Sequence, residues 1–431
     1  MTLNNKVRFR ITAALYIIAY FSLTSLTPLA GAFVLFQIFV SAIGIIQFLM
    51  HFKALPNIMR FFLIVFFLTF IISIYSAHVS LGQSIFDGIV ANQNFLFAFG
   101  VIPFYRIIKK DMSYLFLFED VLKKFMWLNV IALAIVSVGS FHYAINVSNG
   151  QTLTLQANKF PRMLVEFGTV YYFFKSVKLR KSIYLIYSLF FLFVFQIYNI
   201  ERAPLLATFL AFFVVILFTI NTRYSLSIFI STMFVFGTIL FLLSYSDVLS
   251  KITSKFNQVL NFFTDQSAIT EAGVRVRISE VATAMAGFLK RPIFGNGMPR
   301  PVNTTTLLNG SYFFVADIGI IGMLYANGIF GIVVFFIQGF TVMKVLIRER
   351  LRTSSILFGG SITYLFYLFL KSIPDAIYML FPNNYFFVFV IILVLDSQIK
   401  RNRSLFVSGE FLYNLKSSKY KRWVKESLNF Y

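Results

Sequence analysis

The sequence lacks cysteine and has only three histidines, and both shortages limit the chemistry that it can perform. Without cysteine there is no disulfide framework, no thiolate metal site and no cysteine nucleophile. His51, His78 and His142 are scattered, and no Asp-x-Asp pair occurs anywhere in the chain. We therefore expect no metal site and no cofactor.

Charged residues are also scarce. They make up 13% of the 431 residues, whereas 58% are hydrophobic, and a soluble protein usually carries about 25% charged residues. Several long segments contain no Asp, Glu, Lys or Arg, and each is long enough for a membrane-spanning helix of roughly 20 residues. These segments are residues 11–52, 61–86, 125–158, 224–246 and 318–343. The fold class predicted from them is an all-α polytopic membrane protein.

About twelve spans are predicted, with a single large outer loop. The spans lie near 11–27, 31–50, 61–79, 89–106, 125–145, 162–175, 183–199, 205–220, 224–245, 313–343, 353–371 and 384–398. The chain thus divides into spans one to nine (1–245), the outer loop (246–312), spans ten to twelve (313–398) and a basic tail (399–431). The tenth span is long enough to tilt or to project beyond the membrane.

The net charge of +22 raises the question of nucleic-acid binding. That function needs a basic stripe on a soluble domain, and the sequence has none, so we expect no nucleic-acid partner. Most of the 38 Lys and Arg fall in alternate connections between the predicted spans, as expected when positive charges are retained inside. This alternation places both termini in the cytoplasm.

The remaining basic residues fall on the outer side, mostly in residues 246–312. Within this loop, residues 274–289 have the apolar spacing of an amphipathic helix, with Arg277, Glu280 and Ala284 on one face. Placement on the membrane surface is the simplest expectation for such a helix. Pro292 ends the pattern, and Gly295-Asn296-Gly297 predicts a tight turn.

Outer-side ionisable residues are the candidates for function, because charges near lipid are costly and usually face a cavity, a partner or a headgroup. Arg162 and Glu166 are spaced for a structural salt bridge, which is the alternative to a functional role. Glu201 and Arg202 are alternatively a plain interfacial pair. Surface contact with lipid headgroups is the simplest interpretation of Lys251, Lys255, Lys290 and Lys371.

Arginine clusters on the outer side indicate an anionic substrate group. Arginine forms permanently charged, bidentate hydrogen bonds to phosphate. A membrane protein that meets phosphate at its outer interface suggests a substrate carried on a polyprenyl pyrophosphate, whose tail can lie between the spans.

Four short elements of the sequence carry a resemblance to a known family. Arg277, the Pro292–Gly297 turn and the segment Asp317–Gly322 resemble the O-antigen polymerase and ligase superfamily, whose members show an Arg-led helix, a P-x-x-G-x-G turn and an acidic-x-Gly-x-x-Gly start of the next span. Arg202, between two spans, matches the position of that family's arginine.

The resemblance implies a metal-independent glycosyltransferase in the inner membrane of a bacterium. It would polymerise undecaprenyl-pyrophosphate-linked oligosaccharide repeat units into O-antigen or a similar surface polysaccharide. Whether a chain-length regulator also binds stays open. The implied general-base candidates are Glu280, Asp317 and Glu166, and the implied pyrophosphate-binding residues are Arg202, Arg277, Arg275, Arg162 and Arg291.

One departure from the family pattern separates its two activities. Ligases, which transfer polymer to lipid A-core, tend to carry a His in the outer loop, and residues 246–312 contain none. This favours the polymerase but leaves the general base open. A lipid-linked oligosaccharide flippase is the alternative from another class; it should show two related halves, short outer loops and charged spans.

Overall fold

The structure is a computed structural model that describes most of the predicted membrane region. The described residues are 3–21, 30–111, 113–138, 144–146, 152–154, 162–198, 202–218, 227, 230, 272–300, 313–349, 355–374 and 384–395. The ninth predicted span apart from residues 227 and 230, much of the outer loop and the tail at 399–431 lie outside this set.

Helices dominate the described residues. They are α1 (Leu3–Tyr20), α2 (Ala30–Met50), α3 (Asn57–Leu81), α4 (Ile85–Phe97), α5 (Val101–Lys110), α6 (Ser113–Val138), α7 (Arg162–Leu179), α8 (Ser182–Tyr198), α9 (Arg202–Phe218), α10 (Ala272–Lys290), α11 (Gly319–Glu349), α12 (Ile356–Lys371) and α13 (Asn384–Leu395). Short 3₁₀ turns occupy Phe52–Ala54, Ala98–Gly100 and Val315–Ile318. Two strands, β1 (Ala144–Asn146) and β2 (Thr152–Thr154), pair antiparallel with Ala144 opposite Thr154.

Within the described residues, three segments are long and apolar enough to cross a membrane. They are Asn57–Leu81, Ile85–Lys110 and Val315–Lys344. Shorter apolar helices accompany them, including Pro204–Leu217 and Asn384–Leu395. By length and composition this is an α-helical membrane protein, and the count of twelve spans stays a prediction.

The outer surface of the helices supports this assignment. Large apolar side chains stand exposed along α2 and α3, including Leu35, Leu49, Phe67 and Tyr75. A soluble monomer rarely exposes a continuous apolar surface of this kind. Lipid would cover it in a membrane.

The second of these segments, Ile85–Lys110, passes through the 3₁₀ turn at Ala98–Gly100, which interrupts the helical hydrogen bonds. Two tyrosine hydroxyls from α1 donate to carbonyls there: Tyr16 to Gly100 at 3.0 Å and Tyr20 to Phe97 at 2.8 Å. Gly44 on α2 lies against the same turn, where a Cβ would approach the Phe99 carbonyl oxygen to 2.0 Å. The apolar helices therefore hold an irregular backbone whose polar groups are satisfied.

Helix α7 packs against α8, α9 and α12. Close approach of α7 and α12 depends on glycine, because a Cβ at Gly359 would meet the Phe174 ring at 2.0 Å. Toward α9, the rings of Phe173 and Phe212 stack at 3.7 Å between centroids. This packing buries α7 almost completely from Leu164 to Phe174.

Candidate functional site

Helix α10 confirms the amphipathic helix predicted at 274–289. Placement on the membrane surface was expected, but the helix packs against α11. Glu280 and Ala284 are 2% and 0% exposed, and this face packs against α11. Gly287 continues the face, since a Cβ there would meet the Tyr325 ring at 2.4 Å. The apolar side chains of Met285 and Leu289 are exposed instead. The face with small side chains is the one that packs against α11, because small side chains let the two helices approach closely.

The carboxylate of Glu280 is buried, which is an unusual environment for a charged group. Its Oε1 accepts a hydrogen bond from the backbone N–H of Phe314 at 3.1 Å. Burial raises the pKa of Glu280 above the ordinary glutamate value, and the nearby charge of Asp317 raises it further. The Phe314 N–H and the charge of Arg277 act in the opposite direction without reversing the shift. A carboxyl with a raised pKa is suited to take a proton near neutral pH.

Two exposed charged residues flank Glu280. Arg277 lies one helical turn earlier on α10, and Asp317 lies in the 3₁₀ turn that precedes α11. Both are close enough for their charges to affect the pKa of Glu280. The structure thus brings together three of the sequence-predicted residues, with the carboxylate buried and its two charged neighbours open to solvent or a ligand.

The predicted turn at Pro292–Gly297 completes a broken helix. Gly328 leaves the helical conformation inside α11, with φ 61° and ψ −158°. Across this break, the N–H groups of Asn296 and Gly297 donate to Tyr325 and Ala326 at 2.7 and 2.9 Å. In return, the N–H groups of Ile329 and Phe330 donate to the Pro292 and Ile293 carbonyls at 2.8 and 3.1 Å. Four backbone groups left open by the break are satisfied by the turn.

The break also accounts for the length of the tenth predicted span. The part of α11 that follows Gly328 is about 30 Å long at roughly 1.5 Å per residue, which matches the hydrocarbon thickness of a bilayer. Residues 319–327 form a separate short helical segment before the break. The projection of this span beyond the membrane stays a prediction.

The same turn is attached to α3 and to the start of α4. Ser80 Oγ donates to the Asn296 carbonyl at 2.6 Å, and the Met298 N–H donates to Ser73 Oγ at 2.8 Å. Arg300 forms a salt bridge with Asp87. Since α10 leads directly into this turn, these contacts fix where Glu280 lies.

The third predicted carboxylate, Glu166, is 3% exposed and lies inside the helical bundle. Its Oε1 accepts a hydrogen bond from Lys371 Nζ at 2.6 Å. Lys371 is 5% exposed, so its expected position among lipid headgroups is wrong. The side chain turns inward because a buried carboxylate on α7 supplies the opposite charge.

A short chain of contacts joins the two carboxylate regions. The N–H of Ile320, at the start of α11, donates to the Ile373 carbonyl at 3.0 Å, two residues beyond Lys371. Gly319 is required there, since its φ is 55° and a Cβ would lie 2.2 Å from the same carbonyl oxygen. The start of α11, which follows the turn that carries Asp317, is thereby attached to the segment that follows Lys371 at the end of α12.

The other predicted arginines have different positions. Arg291 is half-buried and donates to the Val79 carbonyl at 3.5 Å, so it turns toward α3. Arg162 begins α7 and is half-buried. The structure describes the backbone of Arg202 and Arg275 but not their side chains, and Glu201 lies outside the described residues. α9, which begins at Arg202, packs against α7 and α12.

Sequence reasoning missed Lys371 and the Arg300–Asp87 pair as residues that organise this side of the protein. Asp87 follows Ser84 by three residues, and that spacing is typical of a helix start. The Ser84 hydroxyl indeed accepts from the Asp87 N–H at 3.1 Å. No sequence pattern pairs Lys371 with Glu166, because the two residues come from different helices.

No metal centre emerges from the described residues: none of their His, Asp and Glu side chains form a group of three or more that could hold an ion. Comparison with known proteins adds no identity, because no protein-family model matches the chain and no curated protein matches it significantly.

Proposed function

We propose that this protein is a polymerase of lipid-linked polysaccharide repeat units and a member of the O-antigen polymerase and ligase superfamily. It would act at the outer face of a bacterial inner membrane, with twelve spans, a large outer loop at 246–312 and both termini in the cytoplasm. The observation that carries the proposal is the buried carboxylate of Glu280, whose pKa is raised and whose neighbours Arg277 and Asp317 are exposed.

In the proposed reaction, Glu280 takes the proton of an acceptor sugar hydroxyl. The hydroxyl oxygen then bonds to the anomeric carbon of the donor glycan, and the bond from that carbon to the undecaprenyl pyrophosphate oxygen breaks. A general base of this kind contributes about 10²–10⁴-fold. Asp317 acts beside Glu280, raising its pKa and so its basicity.

Arginine stabilises the negative charge that develops on the departing pyrophosphate. Arg277 is the first candidate because it is exposed and one turn from Glu280. Arg202 and Arg275 are further candidates from the family resemblance, and Arg162 and Arg291 have weaker support. Removal of one such donor usually costs about 10²–10³-fold in rate.

A deletion strain tests the reaction class. In the source bacterium, lipopolysaccharide from the deletion strain should run on a gel as core plus a single repeat unit. Core without any repeat would indicate the ligase or the flippase instead. An unchanged ladder would exclude all three activities.

Arg277→Ala tests the site. We expect loss of the polymer ladder at an unchanged protein level in the membrane. Lys290→Ala is the matched control, because it removes an exposed cation from the same helix, and it should leave the ladder intact. Full-length ladders from Arg277→Ala would refute the assigned role.

A further inference from the structure

A cavity on the side opposite the candidate site is lined by basic residues. It has a volume of about 340 Å³ and lies between the end of α2, the turn that follows it, and α5. Arg106, Lys109 and Lys110 line it together with His51 and Gln47, and Ala54, Leu55, Ile102 and Tyr105 complete the wall. The alternation of basic connections predicts that this side faces the cytoplasm.

In the part of the chain that the structure describes, no carboxylate neutralises the cations of this basic cavity. Arg106, Lys109 and Lys110 are exposed, and no carboxylate among the described residues forms a salt bridge with them. The acidic group nearest in the chain, Asp111, accepts a hydrogen bond from the Ser113 N–H at 2.8 Å. Lys109 Nζ lies 5.4 Å from the centroid of the Tyr105 ring, a contact that keeps its full charge. Three positive charges around one cavity, with no carboxylate partner among the described residues, favour an anionic ligand.

The surroundings of the cavity distinguish a lipid from a free anion. On α2, the apolar side chains of Ile46, Leu49 and Met50 are 56%, 73% and 71% exposed and lie next in sequence to Gln47 and His51. Their spacing of three and four residues makes them one exposed apolar stripe on the helix that also supplies Gln47 to the cavity. A phosphate headgroup can therefore occupy the cavity while its acyl chains lie along α2.

We propose that this basic cavity binds the phosphate headgroup of an anionic phospholipid from the inner leaflet. Its volume is at the lower end of the range for small-ligand sites, about 300–1,000 Å³, which suits a glycerophosphate headgroup without its acyl chains. Basic pockets between membrane helices on the cytoplasmic side commonly bind such headgroups. This site does not depend on the proposed polymerase activity, since it involves none of the residues assigned to that reaction.

Native mass spectrometry of the purified full-length protein in detergent tests the site. Dioleoylphosphatidylglycerol should bind tightly as one copy, whereas dioleoylphosphatidylethanolamine should not. A variant carrying Arg106→Ala, Lys109→Ala and Lys110→Ala should bind phosphatidylglycerol roughly a hundredfold more weakly, because each Lys or Arg near an anionic lipid contributes about fivefold. Arg106→Lys, which retains the charge, should bind within a few fold of the wild type.

The matched control removes three charges elsewhere. Lys6, Arg8 and Lys181 are exposed and belong to the same predicted side, so their combined alanine variant has the same net charge and should retain tight binding. Equal loss in both triple variants would show diffuse attraction and overturn the proposal. Displacement of the lipid by an equal concentration of inorganic phosphate would also overturn it, by identifying a free-anion site. Gel-filtration profiles confirm that both variants are folded.

Discussion

Glu166 and Glu280 are both buried carboxylates, 3% and 2% exposed, yet their surroundings differ. Glu166 lies among the helices of the bundle and has a lysine for a partner, with 2.6 Å between Lys371 Nζ and the carboxylate. Glu280 lies on the helix that precedes the turn at Pro292–Gly297, and its Oε1 accepts a hydrogen bond from a backbone N–H.

This difference separates a structural role from a chemical one. A buried ion pair neutralises its own charge, and removal of either partner leaves an uncompensated charge inside the protein. A buried carboxylate with a neutral donor instead retains a raised pKa and can exchange a proton. We therefore assign Glu166 to the architecture and Glu280 to the reaction, although sequence reasoning had grouped them as candidate bases.

The largest expected effect comes from breaking the Glu166–Lys371 pair. Lys371→Met leaves the Glu166 carboxylate buried without its cation, and we expect a loss of about 3–5 kcal/mol in the free energy of unfolding. The decrease should appear as a lower thermal midpoint in detergent and a lower protein level in the membrane.

A double variant completes this test. When Glu166→Leu accompanies Lys371→Met, both charges are replaced by apolar groups, and stability should return to the wild-type value or exceed it. Recovered stability together with a normal polymer ladder would assign a structural role to the pair. A stable double variant without polymer would instead assign Glu166 to the reaction and remove the contrast with Glu280.

Glu280→Gln should lower activity and leave stability unchanged, whereas Lys371→Met should lower stability. The glutamine Oε1 can still accept the Phe314 N–H, so packing is retained while the proton acceptor is lost. We expect polymerisation to fall by about 10²–10⁴-fold, measured as transfer of labelled repeat units by the purified protein. A variant with near-normal transfer would exclude Glu280 as the base.

The thermal midpoint of Glu280→Gln supplies a second measure. Because the pKa of Glu280 is raised in the folded protein, its contribution to stability is present at low pH and is lost as the pH rises through that pKa. Above that pKa the ionised carboxylate is a cost, and its removal should leave the thermal midpoint equal or higher at such pH values. A strong decrease would instead indicate a structural role for Glu280.

Glycine substitutions test whether the turn at Pro292–Gly297, through its contacts with α3, positions the Glu280 region. Gly297 has φ +80°, and a Cβ there would lie 2.2 Å from the Ser73 carbonyl oxygen, whereas Gly82 has φ +63° with open space around it. Gly82→Ala should cost about 1–2 kcal/mol from backbone strain alone. Gly297→Ala should cost a further ~1–3 kcal/mol from overpacking, and it should lower polymerisation more than Gly82→Ala does. Equal effects in thermal melts and transfer assays would show that the tight contact with α3 is unimportant.

The sequence predicted helices well and their partners poorly. Helix α10 and the turn at Pro292–Gly297 follow from apolar spacing and from Pro and Gly, which are local properties of the chain. The buried face of α10 could not be predicted, because it depends on Tyr325 and the rest of α11. The Glu166–Lys371 pair was missed for the same reason, since hydropathy predicts that a helix is covered but not which side chains meet.

Asp317→Asn should produce the smallest effect and separates the two carboxylates of the candidate site. The charge of Asp317 contributes to the raised pKa of Glu280, so its removal should lower that pKa. Transfer activity requires ionised Glu280 and is lost as the pH falls through this pKa, so the acidic limb of the pH–rate profile should move to lower pH. On the plateau above this limb the rate should change little, because Glu280 is ionised in both proteins once the pH exceeds its pKa. A loss of about 10²–10⁴-fold at neutral pH would instead identify Asp317 as the base, and Glu280 would then join Glu166 as a structural residue.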